Sequence, residues 1–213
     1  MILAVDWVAV SSITTAAATL VLAVATFAAV RSANRSARIA EQSLLAGLRP
    51  LLMPAHPEDP EQKVAFMGEK WFHLGGGEGL AVADQDGIYI AMSVRNVGSG
   101  IAVLHGWRFY STPTPGRDAH PPVDDFRPQM RDIYIAQGEL GFWHGALRDR
   151  SDPEFDALRE TIVDRRRFSI DVLYGDHALG QRAITRFALT PRESGGWLAI
   201  VGRHWNVDRP DPR

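Results

Sequence analysis

The sequence predicts one membrane-spanning helix that runs on as a juxtamembrane helix, followed by a mainly-β domain: an antiparallel β-sandwich of immunoglobulin-like character with one short helix. Three observations carry this reading. Residues Trp7 to Val30 contain no charged side chain. Apolar residues alternate with period two at Ile88, Ile90, Met92 and Val94, and again at Phe168, Ile170, Val172 and Tyr174. Gly- and Pro-rich turns separate such runs, and beyond residue 50 only one stretch has helical spacing.

The uncharged run is rich in Ala, Val, Leu and Thr and stops at Arg31. At ~1.5 Å per residue it reaches ~36 Å, enough to cross a hydrocarbon core of ~30 Å with some tilt. A cleaved secretory signal is the rival, since Ala16-Ala17-Ala18 and Ala23-Val24-Ala25 are small-residue sites. Such a signal wants a basic leader and a shorter apolar stretch, and only Asp6 supplies charge ahead of this one. A buried Ala-rich helix would need a larger protein around it. Arg31, Arg35, Arg38 and Arg49 follow the span, so the amino terminus is expected outside and the domain in the cytoplasm. The absence of cysteine agrees with a reducing compartment.

From Arg31 to Leu48 the only helix breaker is Gly47, and the helix should continue out of the membrane. Arg31, Arg35 and Arg38 share one face, the ordinary charged flank of a span, where they also suit anionic headgroups. Steps of four and three trace a stripe: Ser12, Ala16, Thr19, Ala23, Thr26, Val30, Ala33, Ala37, Ala40, Leu44 and Gly47. Small residues inside the bilayer and Leu further out make this a candidate seam between two copies. Arg49-Pro50 ends the helix, because Pro lacks the amide donor and disfavours helical geometry in its predecessor. The domain scheme is therefore an anchor at 1–30, a juxtamembrane helix at 31–49, a β-sandwich at 50–206 and a polar tail at 207–213.

Within the domain, Leu51 to Met53, Val64 to Met67 and Lys70 to Leu74 are short strand candidates. Gly75-Gly76-Gly77-Glu78-Gly79 is expected as a flexible hairpin loop rather than a phosphate cradle, because no Gly-Lys-Ser/Thr follows. The run from Gly87 to Arg95 is the clearest strand. Asn96-Val97-Gly98-Ser99-Gly100 is expected to turn the chain, with Ile101 to Tyr110 returning beside it. Ser111 to Pro128 is expected as a proline-rich surface loop. Ile133 to Ala136 and Leu140 to Trp143 should be strands meeting at Gly138. Ser151-Asp152-Pro153-Glu154 has the spacing of a capping box ahead of Phe155, Leu158 and Ile162, which repeat at helical spacing. Arg165-Arg166-Arg167 should form its solvated end. Phe168 to Tyr174 and Arg182 to Leu189 form a hairpin, and Trp197 to Val201 is the last strand.

An amino-terminal span, an Arg- and Ala-rich helix closing at Arg49-Pro50, and a β domain carrying Asn96-Val97-Gly98-Ser99-Gly100-Ile101-Ala102 resemble bacterial single-span membrane proteins of unknown function. The resemblance covers nearly the whole chain. It implies the architecture and carries no activity, cofactor or catalytic residue.

No constellation for chemistry stands out. Histidines 56, 73, 105, 120, 144, 177 and 204 are not paired at metal-ligand spacings. Ser99 sits between two glycines but lacks the Gly at minus two and plus two that a nucleophile elbow needs, and Asp176-His177 is only part of a hydrolase triad. Asp124-Asp125 lies in the proline-rich loop. Trp71, Trp107, Trp143, Trp197 and Trp205 are expected in the core. Four arginines against Asp6 and Glu41 give residues 1–49 a charge of +2, so residues 50–213 carry −4 of the overall −2. An acidic domain argues against nucleic-acid binding. No cofactor or metal is expected. The expected partners are the lipid bilayer, a second copy and another protein. The expected function is a membrane-anchored interaction module (adaptor or scaffold), with a membrane-bound hydrolase built across loops as the alternative.

Overall fold

The computed structural model describes residues 7–67, 70–111, 119–178 and 180–209. Asp6, residues 112–118 of the proline-rich loop and the end of the polar tail lie outside them. The chain divides into two compact units, Met1–Leu44 and Leu45–Arg213.

The first unit is helix. α1 (Trp7–Gly47) forms because no Gly or Pro interrupts it before Gly47. It includes one stretch long and apolar enough to cross a membrane, with none of that stretch buried inside the protein. The hydroxyls of Ser12, Thr19 and Thr26 each donate to a carbonyl one turn back at 2.8 Å, so they leave no open donor on the surface.

The second unit is a curled antiparallel sheet with one short helix, a β-sandwich-like fold. Its strands are β1 (Leu52–Pro54), β2 (Gln62–Phe66), β3 (Lys70–Leu74), β4 (Glu78–Ala83), β5 (Ile88–Asn96), β6 (Ala102–Tyr110), β7 (Arg127–Ile135), β8 (Leu140–Leu147), β9 (Phe168–Asp176), β10 (Arg182–Pro191) and β11 (Trp197–Asn206). β5 is central. It pairs β8 along one edge and shares its other edge between β4 and β1. From β4 the sheet runs through β11, β10, β9 and β6 to β7. β7 and β8, the two ends, come together without a ladder between them; Gln129 Nε2 donates to the His144 carbonyl at 2.8 Å across the gap.

The period-two reading of β5 needs extension, because both of its faces are buried. Ile88, Ile90, Met92 and Val94 enter the main core with Trp107, Trp143, Phe168 and Phe187, while Tyr89 and Ala91 join Val64, Phe66 and Leu74 under the β2–β3 hairpin. α2 (Phe155–Val163) closes the main core with Phe155, Leu158 and Ile162. Fully burying one such side chain contributes roughly 1.5–3 kcal/mol.

Several pairings differ from expectation. β6 does not return beside β5; it pairs β7 and β9, so Asn96 to Gly100 is a crossing between parts of the sheet. β7 and β8 meet at a turn holding Gly138, as expected, and each pairs a different neighbour. The glycine run is no flexible hairpin loop: β4 begins inside it, and Gly76 and Gly77 are buried. A Cβ on Gly76 would overlap the His56 carbonyl, and the Gly77 carbonyl accepts the Ala199 amide at 3.1 Å. β7 starts earlier than expected, within the stretch read as loop.

The capping box does not form. The Ser151 hydroxyl bonds Asp149, Asp152 takes the Glu154 amide, and Asp152 and Glu154 together clamp Arg127 of β7. Tertiary charge pairing thus outcompetes the local motif. Arg165, Arg166 and Arg167 are exposed past the end of α2, as expected, and Arg165, at φ 50°, also bonds the carbonyls of Arg192 and Gly196.

Candidate functional site

The sequence-derived site residues on α1 remain on its surface. Arg31, Arg35 and Arg38 are exposed, as are Ser12, Ala16, Thr19, Ala23, Thr26, Val30, Ala33, Ala37, Ala40 and Leu44 of the stripe. The space of about 740 Å³ beside Ser11, Thr15, Thr19 and Ala23 is the open flank of this helix and encloses nothing.

The scattered polar candidates do not converge. Asp176 is fully buried, accepting the Gly180 amide at 2.9 Å, while His177 beside it is exposed. Asp125 pairs with Arg108. Among the described residues no three His, Asp or Glu groups stand where they could hold a metal ion. Trp107, Trp143, Trp197 and Trp205 are core residues, whereas Trp71 is 53% exposed with Lys63 over its ring.

Two places instead concentrate polar groups. The first receives the segment that follows α1. The Asn96 side chain, fully buried, donates to the Gly100 and Ile135 carbonyls and accepts the Leu51 and Gly98 amides. The Val97 and Ser99 amides bond the Leu51 and Arg49 carbonyls at 2.8 and 2.9 Å. A Cβ on Gly100 would overlap the Leu48 carbonyl, and one on Gly98 the Arg49 carbonyl, so the two glycines make room for the passing chain. Arg49 donates to Asn206 and to His204 Nε2. Arginine only donates, so Nε2 accepts and a neutral ring carries its proton on Nδ1, 3.1 Å from Thr185 Oγ1. The Tyr174 hydroxyl meets Thr185 at 2.8 Å and accepts the Leu52 amide. Every one of these groups finds a partner within the protein. The arrangement holds structure together.

The second place is the seam between β7 and β8. β8 sends Trp143 into the main core and His144 to the opposite face, where its ring lies 5.0 Å from Phe66 and 5.7 Å from Phe142. His144 is 9% exposed, and among the described residues neither its ring nitrogens nor the buried Gln129 Oε1 find a hydrogen-bond partner. Burial, helped by the nearby Arg131 charge, pushes the His144 pKa down to about 4, so the ring is neutral at physiological pH. Beside it lies a cavity of about 80 Å³ between Phe66, Trp107, Gln129 and His144. Met67 and Met130 line it too and are 64% and 65% exposed. An open groove of about 580 Å³ continues from Arg131 along β7 to Ile135, facing Lys63 and Phe142.

Sequence reasoning missed this site. The one available signal was a histidine at 144 on the face that Phe142 and Ala146 otherwise make apolar. The chain matches no protein-family model, no curated protein and no solved structure.

Proposed function

We propose that the protein is a membrane-anchored interaction module, an adaptor or scaffold whose immunoglobulin-like sandwich faces the cytoplasm and binds another protein at the β7–β8 seam. The observation that supports this is the unclosed seam itself: two large apolar side chains, Met67 and Met130, stand in solvent around a cavity lined by Phe66, Trp107, Gln129 and His144. The arginines after the span support the orientation. The Thr185–His204 contact does not support the hydrolase alternative, because Thr185 is fully buried and its hydroxyl is also bonded to Tyr174. Self-association along the stripe from Ser12 to Leu44 belongs to the same proposal, since its hydroxyls are satisfied within the helix and two such surfaces can approach closely.

A photo-crosslinking side chain at position 130 tests the binding face in cells. A discrete adduct is expected from that position and not from position 159 on α2, and Met67→Glu should abolish it. Equal labelling from both positions, or none, would remove the seam from consideration. A reporter active only outside the cytoplasm, fused after Arg213, should stay silent. For the stripe, Ala16→Ile with Ala23→Ile should weaken association in a membrane two-hybrid assay, whereas Ala17→Ile with Val24→Ile should not.

A further inference from the structure

We infer that the partner of the β7–β8 seam is an extended acidic peptide segment that adds a strand along β7 and places one apolar side chain in the cavity beside His144. This rests on the interaction-module reading and names the chemistry of what is bound.

Backbone geometry supplies the first argument. The β6–β7 ladder pairs Leu104 with Ile133 and then Gly106 with Pro128, so residues 129–132 of β7 have no register partner on β6. β7 is also the last strand of the sheet, with no ladder on its other side. That free edge presents backbone groups without a ladder, a template for an added strand. Pairing in that way requires an extended polymer and not a small molecule.

Charge supplies the second. Arg131 donates to the Ala65 carbonyl and Arg148 to the Met67 carbonyl, which brings both guanidiniums over the end of β2 at the cavity mouth. Neither has a carboxylate partner among the described residues, and Lys63 of the adjoining groove has none either. Against these three cations, the described residues that line the groove include one acid, Asp132. A cationic strip on a domain that is acidic as a whole selects an acidic segment, and each arginine has donors to spare for a carboxylate.

Size supplies the third. By the measure in which one water needs ~10–15 Å³, a cavity of about 80 Å³ accepts one branched aliphatic or ring side chain and no more. Phe66, Trp107 and the two methionines offer it apolar walls, and the thioethers can adapt to its shape. His144 and Gln129 gain no hydrogen bond from its arrival, since an apolar side chain offers none and their unpaired atoms do not reach the cavity surface.

The full chain in lipid nanodiscs tests this with three labelled nonapeptides: glutamate and threonine alternating around a central leucine, the same with alanine at the centre, and the leucine form with lysine replacing glutamate. The acidic leucine peptide is expected to bind. The alanine form should bind at least about tenfold more weakly, and the lysine form not measurably. Methyl resonances of Met67 and Met130 in unmutated protein should move on binding, while those of Met53 and Met92 stay fixed. Arg131→Glu with Arg148→Glu should reverse the preference toward the lysine peptide. Equal binding of acidic and basic peptides, or methyl shifts at Met53 or Met92 instead, would overturn the chemistry assigned here and leave the interaction module standing. Binding of free phenylacetate at the two methionines with no response to any peptide would overturn both.

Discussion

The two polar sites of the β domain differ in one respect. Where the segment after α1 enters, Arg49, Asn96, Tyr174, Thr185 and His204 are bonded to one another or to backbone. At the β7–β8 seam, His144 and Gln129 keep buried atoms without partners, and apolar side chains stand in water. A satisfied network specifies one conformation and adds stability, whereas an unsatisfied one costs stability in the free protein. The first site is therefore architecture, and the second is where the proposed binding face lies.

The largest expected effect is at the entry site. Gly100→Ala should destabilise the domain by more than ~4 kcal/mol, because the new Cβ meets the Leu48 carbonyl and neither backbone can move without breaking the Asn96 bonds. Urea denaturation of the full chain in detergent measures it. A cost below ~1 kcal/mol would mean that the entering segment can leave the sheet freely, and the contrast between the sites would collapse.

Next comes pH dependence, which should belong to the seam. The His144 pKa of about 4 lies below its unfolded value of ~6.5, so folding favours the neutral ring. Stability is complete above pH ~6.5 and falls as pH drops toward 4, by up to about 3 kcal/mol from this residue. His144→Leu should flatten that window. Asp84, held down by Lys70, and Asp152, held down by Arg127, act lower: their contribution stays until pH falls through the carboxylate range. An unchanged slope in the leucine variant would assign the window to other groups.

Opposite signs are expected at neutral pH. Tyr174→Phe removes an acceptor from the Leu52 amide and should destabilise by ~1–3 kcal/mol, while His144→Leu removes two unpaired atoms and should be neutral or stabilising by ~1 kcal/mol. Matched destabilisation in thermal melts would show that His144 is as structural as Tyr174. The smallest effect should be Met130→Ser, within ~0.5 kcal/mol, since that side chain packs on little in the free protein.

What the sequence determined by itself was whatever depends on neighbours along the chain. The uncharged run from Trp7 and the absence of Gly and Pro before Gly47 suffice for α1, because helix bonds close within four residues. Alternation at Ile88 to Val94 marked β5, the short link from Tyr174 to Arg182 marked the β9–β10 hairpin, and Phe155, Leu158 and Ile162 marked α2. Strand partners were different. Asn96 to Gly100 reads as a hairpin turn in isolation, yet its glycines serve a backbone about fifty residues earlier, and composition says only that room is needed, not what fills it. Glu154 could cap its own helix or bind Arg127, and the choice depends on where β7 passes. His144 became a candidate site residue only when Phe66, Gln129 and Trp107 closed around it, since burial and an unmet hydrogen bond are properties of surroundings that folding alone brings together.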